Sequence, residues 1–444
     1  MGLTGRRTYV GFGFGAIQAG LFLYEAFQSA AFGRLVVVEV MPGVVQTVRQ
    51  AQGFFSLNIA HADWVQQAAV GPVEIFYPAL DPDRDQIIAA IAAAEEIGTA
   101  IPSVAYYATG GPDSLHRLLA EGLRQKARQN GPRAVVYTAE NHNHAAEILE
   151  SKVLAEIAAR ERPAVQDRVR FLNTVIGKMS GVITDPAEIG RQVLATITPG
   201  PGGLERAFLV ESFNRILISK IRFEPPFERG LAVFEEKEEL LPFEEAKLYG
   251  HNATHALAAY IAAMKDLTHI AELRAYPELM AFLRAAFIEE SGQALIKKYA
   301  RQDPLFTSEG YRWYANDLLL RMTNPHLRDT VERVGRDPQR KLDWDDRLIG
   351  VIRLALSQGV TPRRYALGVA AALISLDRAM LDSDELLDKT LVSIWAGAAP
   401  NPAEQAGVLA LIKEARPRLK RWLASGDLDL EGFSVQSDFM GLTS

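Results

Sequence analysis

The feature that most constrains this chain is a short apolar stretch that runs into a cluster of glycines near its start. Residues Thr8 to Gly13 read as a buried strand, glycines stand at 11, 13, 15 and 20, and an amphipathic helix is predicted from about Ala16 to Ser29. A second strand, LVVVEV, ends near Glu39. Strand, glycine turn, helix, strand and acid together make the pattern that binds a dinucleotide. The glycines let the backbone approach a pyrophosphate, and free N–H groups at the helix start point at the anion. Gly13, Gly15 and Gly20 are the candidate cofactor contacts. Glu39 would hydrogen-bond the adenosine ribose hydroxyls and repel a 2′-phosphate, so NAD is expected rather than NADP. The spacing is irregular, with Gln18 at the usual third glycine and Gly20 two residues later. A purely structural glycine turn is the competing reading.

Beyond Glu39 the chain alternates between strand-like and helix-like segments. PVEIFYP reads as a strand, DRDQIIAAIAAAEE as a helix, IPSVAYYAT as a strand, DSLHRLLAEGLRQKAR as a helix and RAVVYTA as a strand. Such alternation implies a parallel sheet with helices on both faces and a ligand at the carboxyl ends of its strands. TITPGPGGLERA, from Thr196 to Ala207, marks a hinge or domain end. From Glu239 onward the apolar residues recur at helical spacing, as in ELMAFLRAAFIEESGQALIKKYA, DRLIGVIRLALSQG and PRRYALGVAAALISLDRAML. The expected organisation is α/β, with a Rossmann-type NAD-binding domain over 1–205 and a mainly α-helical C-terminal domain over 206–444.

A chain of 444 residues is long enough for two cores. Its net charge of -6 gives no general attraction to nucleic acid. The absence of cysteine excludes disulfides, thiolate nucleophiles and cysteine metal sites, and fits a reducing compartment such as the cytoplasm. Arg6 and Arg7 before an apolar run imitate a twin-arginine signal, but Gln18 and Glu25 interrupt it, and neither export nor a membrane partner is expected.

Chemistry concentrates in LPFEEAKLYGHNATHALAAY, residues 241–260, where Lys247, Asn252 and His255 stand at offsets of five and three. On an α-helix these side chains, with His251, fall within an arc of roughly 140°. A lysine beside a carboxamide and an imidazole can take a proton from an alcohol while its neighbours hold the alkoxide. A solvated lysine with a core histidine is the competing reading. A metal hydrolase is a weaker rival, because HNATH lacks the glutamate of HExxH, and no metal is expected; His142 and His144 read as surface polar residues. Further on, Arg333, Arg336, Arg340 and Lys341 gather around Gly335 and Pro338. Such a loop can wrap a phosphate, or can be a solvated basic turn paired with Asp329, Asp337 and Asp343.

The spacing K-x4-N-x2-H, followed by a small-residue run and Tyr260, resembles the signature of the polyol-specific long-chain dehydrogenases, the mannitol dehydrogenase family. RVGRDPxRKL followed by DRLIG is similar to the branch of that family that acts on mannitol 1-phosphate. The resemblance implies that Lys247 is the general base, that Asn252 and Asn141 (in Glu140-Asn141, past RAVVYTA) steady the alkoxide, and that His255 orients a hydroxyl. It also implies that Arg333 and Lys341 contact substrate; Arg336 and Arg340 are assigned to phosphate from their chemistry alone. Glu244, one turn before the lysine, would pass its proton to solvent. Two departures stand out: Gln18 replaces a family glycine, and Gly177-Lys178 replaces an Asp-Arg pair. The expected activity is NAD-dependent interconversion of a polyol phosphate and a ketose phosphate by a monomer or small homo-oligomer. The alternatives are a dehydrogenase of a free polyol or of a sugar acid such as fructuronate, and a catalytically degenerate protein that binds NAD or a sugar phosphate. The polar tail from Leu423 to Ser444 carries no assignment.

Overall fold

The computed structural model describes residues 7–198, 200, 202–426 and 433. They form two compact units, Met1–Leu241 and Pro242–Ser444.

The strands of the first unit are β1 (Arg7–Phe12), β2 (Phe32–Val38), β3 (Phe55–Ala60), β4 (Val65–Val70), β5 (Glu74–Phe76), β6 (Glu96–Thr99), β7 (Ala134–Thr138), β8 (Val169–Val175), β9 (Ser180–Ile183), β10 (Ala207–Glu211), β11 (Ile216–Ser219) and β12 (Phe234–Lys237). The main sheet has the order β5-β2-β1-β6-β7-β8-β11-β12, parallel from β5 to β8, with β11 antiparallel to β8. The chain leaves β1 toward β2 and β5, then returns to β6 on the other flank, so the strand order reverses between β1 and β6. In open α/β sheets the crevice at that reversal is where ligands bind. Tyr9–Phe12 lie opposite Leu35–Val38 on one side and Glu96–Thr99 on the other. Both faces of these strands are covered, which is why VVV and AVVY read as unbroken apolar runs.

Two parts of this unit differ from the sequence expectation. The strand expected over IPSVAYYAT is a 3-10 turn, Val104–Tyr107, and the sheet strand is EIGT just before it. Glu96 and Gly98 hide that strand. The buried Glu96 carboxylate accepts from Tyr137 Oη at 2.9 Å and from the Gly230 and Leu231 amides, while any side chain at Gly98 would collide with Tyr9. A second sheet, β4-β3-β10-β9, was also unforeseen. Because β10 pairs with β3, and β11 with β8, the first unit runs on to Leu241, well past the boundary expected at 205.

The second unit is helical. Its core is a single helix over 241–263, α-helical at Leu241–Glu245, a π-turn at Ala246–Asn252 and α-helical again at Ala253–Ala263. A Cβ at Gly250 would lie 2.5 Å from Tyr311 Oη and 2.9 Å from Phe287, so close packing requires a glycine here. The helix Arg347–Ser357 packs on the π-turn so closely that any side chain at Gly350 would collide with the Tyr249 ring. The last helix, Pro402–Ser425, ends at Gly426 with φ +76, and Phe433 is buried with its ring 5.1 Å from that of Phe282. The rest of the polar tail lies outside the described residues. Among those residues no helix is long and apolar enough to cross a membrane.

Candidate active site

In the first unit the glycine turn follows β1 directly. Gly13 has φ +85, and a Cβ there would come within 2.7 Å of the Ala100 carbonyl oxygen, so the turn excludes other residues. At Gly15 nothing lies within 4 Å of the Cβ position. One glycine makes the turn and the other leaves room beside it, and these are the two roles that a pyrophosphate requires. Gly20 packs its helix against β10, where a Cβ would sit 2.5 Å from Val210.

Gln18 does not push the helix away from the strand. It is fully buried, and its Nε2 donates to Tyr9 Oη at 2.7 Å. Any side chain at Gly11 on β1 would strike its amide. The missing glycine has in effect moved from helix to strand. Glu39 follows β2 and is buried, with Oε1 accepting from the Met41 amide at 2.8 Å. These residues fit a dinucleotide: Gly13 and Gly15 for its pyrophosphate and Glu39 for its ribose.

Asn141 is exposed at the carboxyl end of β7. Its neighbour Glu140 is buried and accepts from Thr99 Oγ1 at 2.8 Å, from the Ile101 amide at 3.0 Å and from Tyr107 Oη, which pins this loop to the end of β6. Burial pushes the Glu140 carboxyl above the ordinary glutamate range, and the hydrogen bonds oppose that. At the Gly177-Lys178 departure, the buried Lys178 amine donates to the carbonyls of Glu211 at 2.6 Å and Phe213 at 2.7 Å. The Glu211 carboxylate accepts from the Met179 amide at 2.5 Å, so an acid from β10 borders this segment although position 177 has none. His142 and His144 are exposed, and no cluster of three metal-ligating side chains occurs among the described residues.

In the second unit the π-turn decides the geometry. Five residues along an α-helix would leave Lys247 and Asn252 roughly 140° apart. A π-turn closes its ring from i to i+5, which brings positions five apart into line on one face. His255, three further on in regular α-helix, extends that face. The Lys247 amine is pushed down to about 8 by burial and by the Arg347 guanidinium, with Glu244 opposing. His251 is buried and held well below the ordinary imidazole range, first by burial and then by its neighbours His255, Arg321, Lys247 and Arg347, so it is neutral.

The basic loop packs along the same helix. Tyr260 Oη donates to the Gly335 carbonyl at 3.0 Å. Asp329 is buried between two candidate residues, with Oδ2 3.3 Å from His255 Nε2 and Oδ1 paired with Arg333. Lys341 is buried, donates to the Arg336 carbonyl, and is pushed down to about 8 by burial, Arg347 and Arg340. Arg340 is exposed and engaged by Asp337 at 2.8 Å and Asp346 at 3.3 Å, while Arg336 is exposed. The structure thus ties His255 to Arg333 through Asp329 and keeps Arg336 and Arg340 at the surface. Of the acids expected to pair with a solvated turn, Asp329 and Asp337 do so; Asp346 takes the place of Asp343.

Sequence reasoning missed Arg347. Its charge acts on Lys247, His251, Tyr260 and Lys341 alike. A signal for it was present in the sequence: an arginine directly after an aspartate N-cap, at the helix end where the macrodipole disfavours a cation.

A doubly wound sheet with a glycine turn, followed by a helical unit carrying a lysine–asparagine–histidine face, defines a two-unit dehydrogenase of the long-chain type. Residues 7–198 match the mannitol dehydrogenase Rossmann domain and residues 239–399 the mannitol dehydrogenase C-terminal domain. The chain belongs to the mannitol dehydrogenase family. It is 28% identical over 364 residues to a mannitol-1-phosphate 5-dehydrogenase of Bacillus licheniformis, covering 81% of this chain and 86% of that protein. Among solved structures it is similar to Pseudomonas fluorescens mannitol 2-dehydrogenase in ternary complex with NAD and D-mannitol, with TM-score 0.68, 16% identity, and coverage of 95% and 94% of the two chains. It is also similar to a substrate-free D-sorbitol dehydrogenase, with TM-score 0.74, 14% identity, and coverage of 96% and 95%. At these identities the two structures establish the shared fold.

Proposed function

We propose that the protein is an NAD-dependent dehydrogenase that interconverts a polyol phosphate, of the mannitol 1-phosphate kind, and the corresponding ketose phosphate. The observation that carries this reading is the Lys247 amine, partly buried at a π-turn and held to about 8, with Asn252 and His255 on the face that the turn creates. In its neutral form Lys247 accepts the hydroxyl proton of the substrate. Asn252 and Asn141 donate hydrogen bonds to the oxygen as its charge develops, a contribution that is strongest in the transition state. His255, whose Nε2 lies 3.3 Å from Asp329 Oδ2, orients a neighbouring hydroxyl, and Arg333 and Lys341 hold the rest of the polyol. Glu244, one turn before Lys247 and acting on its charge, would pass the proton on. Gly13, Gly15 and Glu39 would hold NAD, which would supply the hydride acceptor, while Gly20 sets the helix against β10 beside them.

The phosphate rests on the exposed guanidinium of Arg336, supported by Arg340, and on the likeness to the Bacillus licheniformis enzyme. A cysteine-free chain is in keeping with a cytoplasmic location. Initial rates with NAD and NADP on mannitol 1-phosphate and mannitol, and with NADH and NADPH on fructuronate, test the reading. NAD with mannitol 1-phosphate should be the best pair. Equal rates on mannitol would remove the phosphate from the assignment, and no turnover on any of the three would remove the reading itself. Arg336→Ala should raise KM for the phosphorylated polyol more than for the free one.

A further inference from the structure

We propose that Arg347 is a positioning residue of the site: a fixed cation, set against the π-turn by Gly350 and aimed by Asp346, that holds the Lys247 amine ready to accept a proton. This rests on the reading of Lys247 as the base. Arg347 opens the helix Arg347–Ser357, and Gly350, three residues on, shares its face. That face is the one seated on the π-turn, where the absence of a Cβ at Gly350 lets the Tyr249 ring approach. Arg347 therefore stands one turn along from the point of closest approach, at the turn that carries Lys247. Tyr249 Oη, donating to the Asp345 carbonyl at 3.4 Å, fastens the same two elements just before the helix begins.

The position is costly for a cation, because the first turn of a helix carries the positive end of its dipole. Asp346 offsets that cost. Its Oδ1 accepts from the Arg347 amide at 2.6 Å and from Arg347 Nε at 2.7 Å, and its Oδ2 accepts from Arg340 at 3.3 Å. Asp346 is shared between Arg347 and Arg340, and Arg340 is engaged by Asp337 at 2.8 Å as well, so four charges of both signs are held in one network at the start of this helix. The other groups around the lysine are accounted for differently. Glu244 and His251 come from its own helix, and the first opposes Arg347 while the second is neutral. Arg321, on Ser308–Met322, is paired with Asp317 at 3.1 Å, and Glu290, on the neighbouring π-turn, with Arg364 at 3.3 Å. Tyr314 donates to the Ala246 carbonyl at 3.4 Å. Burial lowers Lys247 most, and Arg347 is the cation that adds to it.

The test reads Lys247 without requiring turnover. The protein is acetylated with a trace of acetic anhydride across a pH series, and modification of Lys247 is followed by peptide mass spectrometry. The midpoint should fall near 8 in the parent. It should rise by roughly one unit in Arg347→Gln and stay in place in Arg347→Lys. Arg347→Met keeps the length of the side chain without its charge, should raise the midpoint likewise, and serves if Arg347→Gln does not fold. An unmoved midpoint in both uncharged variants, or one that rises as far in Arg347→Lys, overturns the proposal. In the active enzyme the acid limb of the pH–rate profile should follow the labelling midpoint while KM for NAD is unchanged. A protein that labelled as expected yet oxidised no polyol would sink the function and leave the charge relation standing.

Discussion

In the first unit the candidate pyrophosphate contacts are glycines, which contribute by having no side chain, whereas in the second the candidate base and two of the substrate contacts are long cations whose behaviour is set by what surrounds them. Gly13 and Gly15 need only a backbone in the right place. Lys247, the proposed base, depends on burial first and then on an arginine from a helix a hundred residues away. The two units nevertheless share one device, since a π-turn interrupts the functional helix of each, at Gln18–Leu23 and at Ala246–Asn252. Such turns re-aim a face that a regular helix would send elsewhere. A site built from backbone fails abruptly when a side chain is added, and one built from charge can be tuned by degrees.

The largest effect should come from removing the charge-built half. Lys247→Ala should lower turnover about a thousandfold or more, with thermal stabilisation by NAD unchanged. Parent-like catalysis in that variant would take the base away from Lys247. In the parent, alcohol oxidation should rise with pH up to about 8 and then level, because the accepting form is the neutral amine and protonation below that point silences it. A profile that falls as pH rises from 6 to 8 has the wrong sign for this base.

The backbone-built half should break in two distinguishable ways. Gly13→Ala forces a left-handed residue against the Ala100 carbonyl and should cost about 1–3 kcal/mol of stability as well as NAD binding. Gly15→Ala adds a methyl to open space, so stability should stay within about 0.5 kcal/mol while NAD affinity falls about tenfold or more. Chemical denaturation and NAD titration of both variants separate the two roles. If Gly15→Ala bound NAD as tightly as the parent, the turn would be structural only.

The same contrast explains what could be read from the sequence. The strand–glycine–helix opening was legible because glycine positions follow from local backbone geometry. The K-x4-N-x2-H spacing marked the helix, but its conversion into one face depends on a π-turn that no spacing rule anticipates. The strand EIGT was hidden because its glutamate is satisfied by Tyr137, Gly230 and Leu231, partners that are distant in sequence. The hairpin β3–β4 and its pairing with β10 were missed for a like reason: a second sheet made from segments some 150 residues apart leaves no local period. Arg347 is the charged counterpart of these misses, because its importance lies in Gly350 and Tyr249 meeting across the packing of two helices.

The smallest effect sharpens the comparison most. Gln18 and Gly11 are a backbone-type contact that has exchanged its partners, with the side chain on the helix and the vacancy on the strand. Gly11→Ala alone should cost about 1–3 kcal/mol by striking the Gln18 amide. Gln18→Gly alone should cost about 2 kcal/mol, since it leaves a void, takes the donor from Tyr9 Oη and puts glycine inside a helix. Together, Gly11→Ala and Gln18→Gly restore the more usual arrangement of a glycine on the helix facing a side chain on the strand. The double variant should therefore be more stable than the sum of the two losses predicts by about 1 kcal/mol. Denaturation of all four proteins measures that coupling. Strict additivity would mean that the two positions tolerate each other by chance, and that the helix finds its distance from β1 elsewhere, with Gly20 against Val210 as the contact left to set it.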